Sequence, residues 1–183
     1  MRVHLLFLLH VIAIAPAFGH PEVVGDIEYR LAAATSMGDD QQLGLAMADL
    51  LKSACSGDAD AAALLGERYL TGAGEFQASP GKAKVLLRAA AEAGRGRAMP
   101  GLVLVLSRAG STQAEIEEAA MWLKVGRALA PESLELAVAS QAFEISRGGR
   151  NVVSGYQAAA VWLQKRLQQR NRINHASVDC SSW

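Results

Sequence analysis

The stretch Ala61-Ala62-Ala63-Leu64-Leu65-Gly66-Glu67-Arg68-Tyr69-Leu70-Thr71-Gly72-Ala73-Gly74 decides the fold. Ala61, Leu65 and Tyr69 recur every four residues, so they share one face of a helix. The glycines at 72 and 74 tolerate the positive φ that ends a helix. Ser79 and Pro80 then provide a cap and a first-turn residue for a second helix, along which Ala83, Leu86 and Ala90 again lie together. The unit is a helix hairpin.

The hairpin repeats. Gly57, Ala61 and Leu65 return 37 residues later as Gly94, Ala98 and Leu102, and Ala83 and Leu86 return after 36 as Ala119 and Trp122. Ala119 and Trp122 return after 40 as Ala159 and Trp162, and Ala46, 37 residues before Ala83, marks a degenerate opening copy. Periods of this length mark stacked repeats. Helices are expected near 26–36, 41–55, 59–71, 80–92, 96–108, 113–128, 132–146 and 155–170, making four hairpins. The run Gly101 to Leu106 is the most strand-like piece, but its place in the repeat makes it helical.

The pattern Ala61, Leu65, Gly66, Tyr69, Gly72, Gly74, followed by Lys82, Ala83, Leu86, Ala90, Ala91 and Gly94, resembles the Sel1-like repeat. The likeness is close in that copy and covers roughly residues 40 to 170 in all. Later copies depart from it. Val103 and Leu106 stand at the Gly66 and Tyr69 positions, Ala109 at Gly72, and Glu118 and Ala158 at Lys82. The resemblance implies an all-α, right-handed α/α superhelix, a solenoid related to tetratricopeptide arrays. Small residues there let helix backbones approach, and Leu65, Tyr69, Leu86, Trp122 and Trp162 fill the core.

The chain opens as an exported protein would. Arg2 is followed by an 11-residue apolar run, Leu5 to Ala15, around His10, with small residues for cleavage near Ala17 to Gly19. That run falls short of the roughly 20 residues a membrane-spanning helix needs. Residues 1–19 are therefore expected to be a signal peptide, 20–173 the repeat domain and 174–183 a polar tail, the mature protein being periplasmic or secreted and not inserted in a membrane.

Without the leader the chain has 17 basic and 18 acidic residues, a balance that argues against a nucleic-acid partner. The charges are uneven, with 3 basic and 10 acidic between 20 and 78 against 14 and 8 between 79 and 183. Such polarity either orients encounters, including head-to-tail self-association, or simply keeps helix faces soluble. Lys165, Arg166, Arg170 and Arg172 complement the last helix's dipole and give the array a soluble end. Cys55 and Cys180 either form one disulfide, pinning the tail to an early helix, or remain unpaired thiols.

Sites for chemistry are few. His20 and His175 are the only histidines beyond the leader, both at chain ends, where a copper site lacks supporting ligands. The carboxylates Asp39-Asp40, Asp58 and Asp60, and Glu115-Glu117-Glu118 suit helix first turns better than acid–base work. Gly94-Arg95-Gly96 is too short for a phosphate loop. No catalytic residue, cofactor or metal is expected, and Sel1-like relatives with a cysteine pair in each hairpin, which resemble β-lactam-binding proteins, find no counterpart in a chain with two cysteines.

Repeat arrays bind along the surface formed by the first helices of successive hairpins. The register carries Asp60, Glu67 and Thr71 onto Arg97, Leu104 and Arg108, and these onto Ser133, Ser140 and Glu144. This stripe is the expected binding face, with Arg97, an exposed Leu104 and Arg108 engaging an acidic or amphipathic segment. A protein–protein scaffold is the expected function. A glycan-binding module, needing exposed aromatics, and an enzyme are the alternatives.

Overall fold

The structure is a computed structural model that describes residues 21–73, 76–169 and 176–181. The leader, His20, Gly74, Arg170, Arg172 and His175 lie outside the described residues. Among the described residues there are eight α-helices and no strand: α1 Pro21–Met37, α2 Asp40–Cys55, α3 Ala59–Thr71, α4 Pro80–Glu92, α5 Ala98–Leu106, α6 Gln113–Leu129, α7 Leu134–Arg147 and α8 Val153–Gln168. Gly101 to Leu106 is helical, as its position in the repeat requires. None of these helices is long and apolar enough to cross a membrane.

Short polar side chains set the helix starts. Asp39 accepts from the Gln42 N–H, Asp58 from the Asp60 and Ala61 N–H groups, and Ser133 from the Leu136 N–H. Thr112 and Glu115 close a reciprocal capping box on α6. At α4 Pro80 occupies the first turn, but the Ser79 hydroxyl, expected as its cap, makes no capping bond. Gly72 and Gly148, both left-handed, end α3 and α7.

Each helix from α1 to α6 packs on its successor, and the odd helices also touch one another in order: α1 on α3, α3 on α5, α5 on α7. The last helix breaks the sequence, resting chiefly on α6. Alanine makes these layers close. Ala61, Ala90, Ala98 and Ala119 are fully buried, and Gly66 of α3 lies so near Leu87 of α4 that an added Cβ would stand 2.7 Å from its Cγ. Leu65, Leu86 and Trp122 fill the core as expected, with Tyr69 and Trp162 half-buried against it. The repeat-equivalent Trp122 and Trp162 meet edge to face with ring centres 5.6 Å apart. A stacking ligand would have to displace that contact.

Ion pairs tie neighbouring hairpins. Arg88 grips Glu118 through two bonds of 2.6 Å, and Lys84 holds Glu115 at 2.8 Å. Cys55 at the end of α2 is bonded to Cys180, with Cα atoms 5.9 Å apart. Beside that disulfide the Ala176 N–H donates to the Gly57 carbonyl at 3.0 Å, and Ala176 and Val178 pack on the core.

Candidate functional site

The odd helices enclose a groove of about 400 Å³. Leu70 and Thr71 enter from α3, Pro100, Gly101 and Leu104 from α5, and Leu134 and Val138 from α7. Its floor is aliphatic because Leu104, expected to be exposed, is partly buried against the core with an edge in the groove, while Leu134 and Val138 stand on the exposed side of α7. Three charged residues, Glu67, Arg97 and Glu135, rim it.

Arg97 is held in place. Its guanidinium donates to Glu67 at 3.0 and 2.8 Å in a two-pronged contact, and to Glu28 of α1 at 3.5 and 3.4 Å. The Glu67 bonds, joined by those from Glu28, push its pKa further up, so it stays charged at every ordinary pH. Glu135 accepts from its own N–H and from the Ser133 hydroxyl, which lowers its pKa and keeps it ionised. Glu67 and Glu28 thus hold one cation between them, and Glu135 adds a further carboxylate to the rim, so these four side chains carry net negative charge. Arg97, expected to engage an acidic or amphipathic segment, is already neutralised, by a partner on α3 and another 69 residues away on α1.

The expected stripe divides. Glu67, Thr71, Arg97 and Leu104 come together in the groove, and Ser133 lines an adjoining hollow of about 500 Å³ shared with Glu67 and Arg97. Asp60 instead lies in ion contact with Arg95, 3.2 Å from its Nε. Arg108 borders a separate depression with Lys84 and Glu115. Ser140 is buried and accepts a short hydrogen bond from Arg127, so it is a packing position rather than a surface one. Glu144 is exposed but paired with Arg147 one turn along α7.

The register missed Leu134, Glu135 and Val138. The counting that carries Leu104 to Ser140 tracks spacing along the chain, whereas the exposed side of α7 is set by which neighbours cover it. An available signal was aliphatic residues four apart, Leu134 and Val138, next to a capping serine.

The candidate acid–base pairs have structural partners. Asp39 and Asp58 cap helices, Glu115 serves the capping box and Lys84, Glu118 binds Arg88, and Glu117 accepts from Gln113. Among the described residues no group of three or more His, Cys, Asp or Glu converges to hold a metal. What the groove offers is an aliphatic surface with an acidic end. Compared with protein-family models, curated proteins and solved structures, the chain matches none.

Proposed function

We propose that this chain is an exported Sel1-like repeat scaffold, a right-handed α/α superhelix that holds an apolar segment of a protein partner in the groove between α3, α5 and α7. The observation that carries this reading is the groove itself: Leu70, Leu104, Leu134 and Val138 form one aliphatic floor on three successive odd helices. Aliphatic clefts of this kind take the apolar face of a peptide or helix, and aliphatic burial supplies the affinity. The acidic end favours a partner segment bearing Lys or Arg beside its apolar residues. The 37-residue register and the order in which odd helices pack support the repeat assignment. The Cys55–Cys180 bond supports an oxidising compartment, and so export.

The test is crosslinking of the protein in its own compartment, capture, and mass spectrometry, run beside Leu104→Glu. A charge in the groove floor should weaken partner capture at least about tenfold, or roughly 1.4 kcal/mol, with helix content unchanged. Equal capture by both proteins, or recovery of polysaccharide alone, overturns the reading.

A further inference from the structure

Residues 176–181 lie against the turn between α2 and α3, and besides one covalent bond little holds them there. The Ala176 N–H donates to the Gly57 carbonyl at 3.0 Å, the one backbone hydrogen bond among the described residues that ties this segment to the rest of the fold. Asp179 accepts from the Ser181 N–H, inside the segment itself. Ala176 is buried and Val178 half-buried against the core, while Ser177, Asp179 and Ser181 are exposed.

Holding these residues fixed costs backbone entropy at each of them, and one hydrogen bond, an alanine methyl and part of a valine do not offset that cost. The bond from Cys180 to Cys55 closes the gap. The helices beneath the segment do not rely on it: α2 packs on α1 and on α3, Ala46, Leu50 and Leu65 are fully buried, and Asp58 caps α3 with its own carboxylate. Cys55 and Cys180 both keep part of their surface in solvent, which leaves the bond within reach of an external thiol.

We infer that Cys55–Cys180 is a redox-sensitive catch: opened by a dithiol, it lets residues 176–181 leave the α2–α3 turn while α1 to α8 stay folded. A thiolate of the dithiol attacks one sulfur, the S–S bond breaks, and its electron pair leaves on the other sulfur, which takes up a proton. The second thiolate of the dithiol then attacks its partner sulfur in the mixed disulfide and releases the remaining cysteine, so that both cysteines end as thiols and the dithiol as a disulfide. The opened form uncovers the Gly57 carbonyl and frees the Cys180 thiol. The residues that line the groove all lie between 67 and 138, so the two forms differ at the turn and share the groove.

Amide hydrogen exchange of the whole protein, followed by nuclear magnetic resonance before and after dithiothreitol, tests this. Thiol titration should show both cysteines freed under native conditions. The Ala176 amide should then exchange at least about tenfold faster and reach the rate of unstructured chain, while amides of α2 and α3 stay at least about a hundredfold slower than that rate. Reoxidation should restore the protection of Ala176. Cys55→Ser with Cys180→Ser should behave as the reduced protein does, and circular dichroism should show its helices intact. A bond that dithiothreitol opens only in unfolded protein overturns the inference. So does an Ala176 amide still protected after reduction, which would mean that packing alone docks the segment, and so do α2 and α3 amides at the unstructured rate, the mark of a staple for the whole fold.

Discussion

The guanidinium of Arg166, near the end of α8, lies against Gly94 in the turn between α4 and α5, so close that a Cβ on Gly94 would be 2.3 Å from Nη2. Gly94 has φ +88°, where a side chain is already strained. Gly94→Ala should cost about 2–3 kcal/mol in urea unfolding, part from the backbone and part from the collision. Adding Arg166→Ala should return the second part only. Additive losses in that double-mutant cycle would show that the two residues do not meet.

Gly155 sits where α8 crosses α6. A Cβ there would be 2.1 Å from the Glu117 carbonyl oxygen, a backbone atom that cannot swing aside. Gly155→Ala is expected to destabilise by about 1–3 kcal/mol or more and to shift the near-UV circular dichroism of the Trp122–Trp162 pair. Gly25→Ala is the control: nothing lies within 4 Å of its Cβ position on α1, so it should be neutral or stabilising by up to about 1 kcal/mol through helix propensity.

Glu115 gives stability a defined acid limit. The Lys84 ammonium, and then the Thr112 N–H, lower its carboxyl from the ordinary 4.5 to about 2. A depressed carboxylate stabilises the fold above its unfolded pKa, and the gain fades as pH falls through the folded one. The gap in melting temperature between the native chain and Glu115→Gln should hold at neutral pH, narrow below about 4.5 and close near pH 2. A gap independent of pH would rule out the carboxylate as its source.

The disulfide closes a span of 125 residues. Reduction, or Cys55→Ser with Cys180→Ser, should lower stability by about 2–5 kcal/mol while leaving helix content near native. Matching thermal melts with and without reductant would mean that the bond contributes nothing to the fold.

Much of the helical frame was legible in the sequence, for local reasons. Residues 59–71 and 80–92 are helical as expected, because four-residue spacing, Asp58, Pro80 and Gly72 all act within a turn or two of the residues they govern. The start of α1 at Pro21, five residues before the expected one, was not legible, since no capping side chain marks it. The groove was half legible. Glu67, Thr71, Arg97 and Leu104 follow from the register, because helix period and repeat period agree between α3 and α5. Leu134 and Val138 do not, since the buried side of α7, Leu136, Ala139, Ser140 and Phe143, does not follow the 36-residue step. Nor could spacing show that Arg97 is claimed by Glu28, a contact made only when α1 folds across α3 toward the start of α5.

The Cys55–Cys180 bond also decides how the molecule would carry load. A pull on the two ends of the chain runs along α1 and α2, crosses from sulfur to sulfur, and leaves through the last residues. The six helices from α3 to α8 lie in the bypassed loop and bear no tension. The groove whose floor comes from three of them would keep its shape under a force that unravels the first hairpin.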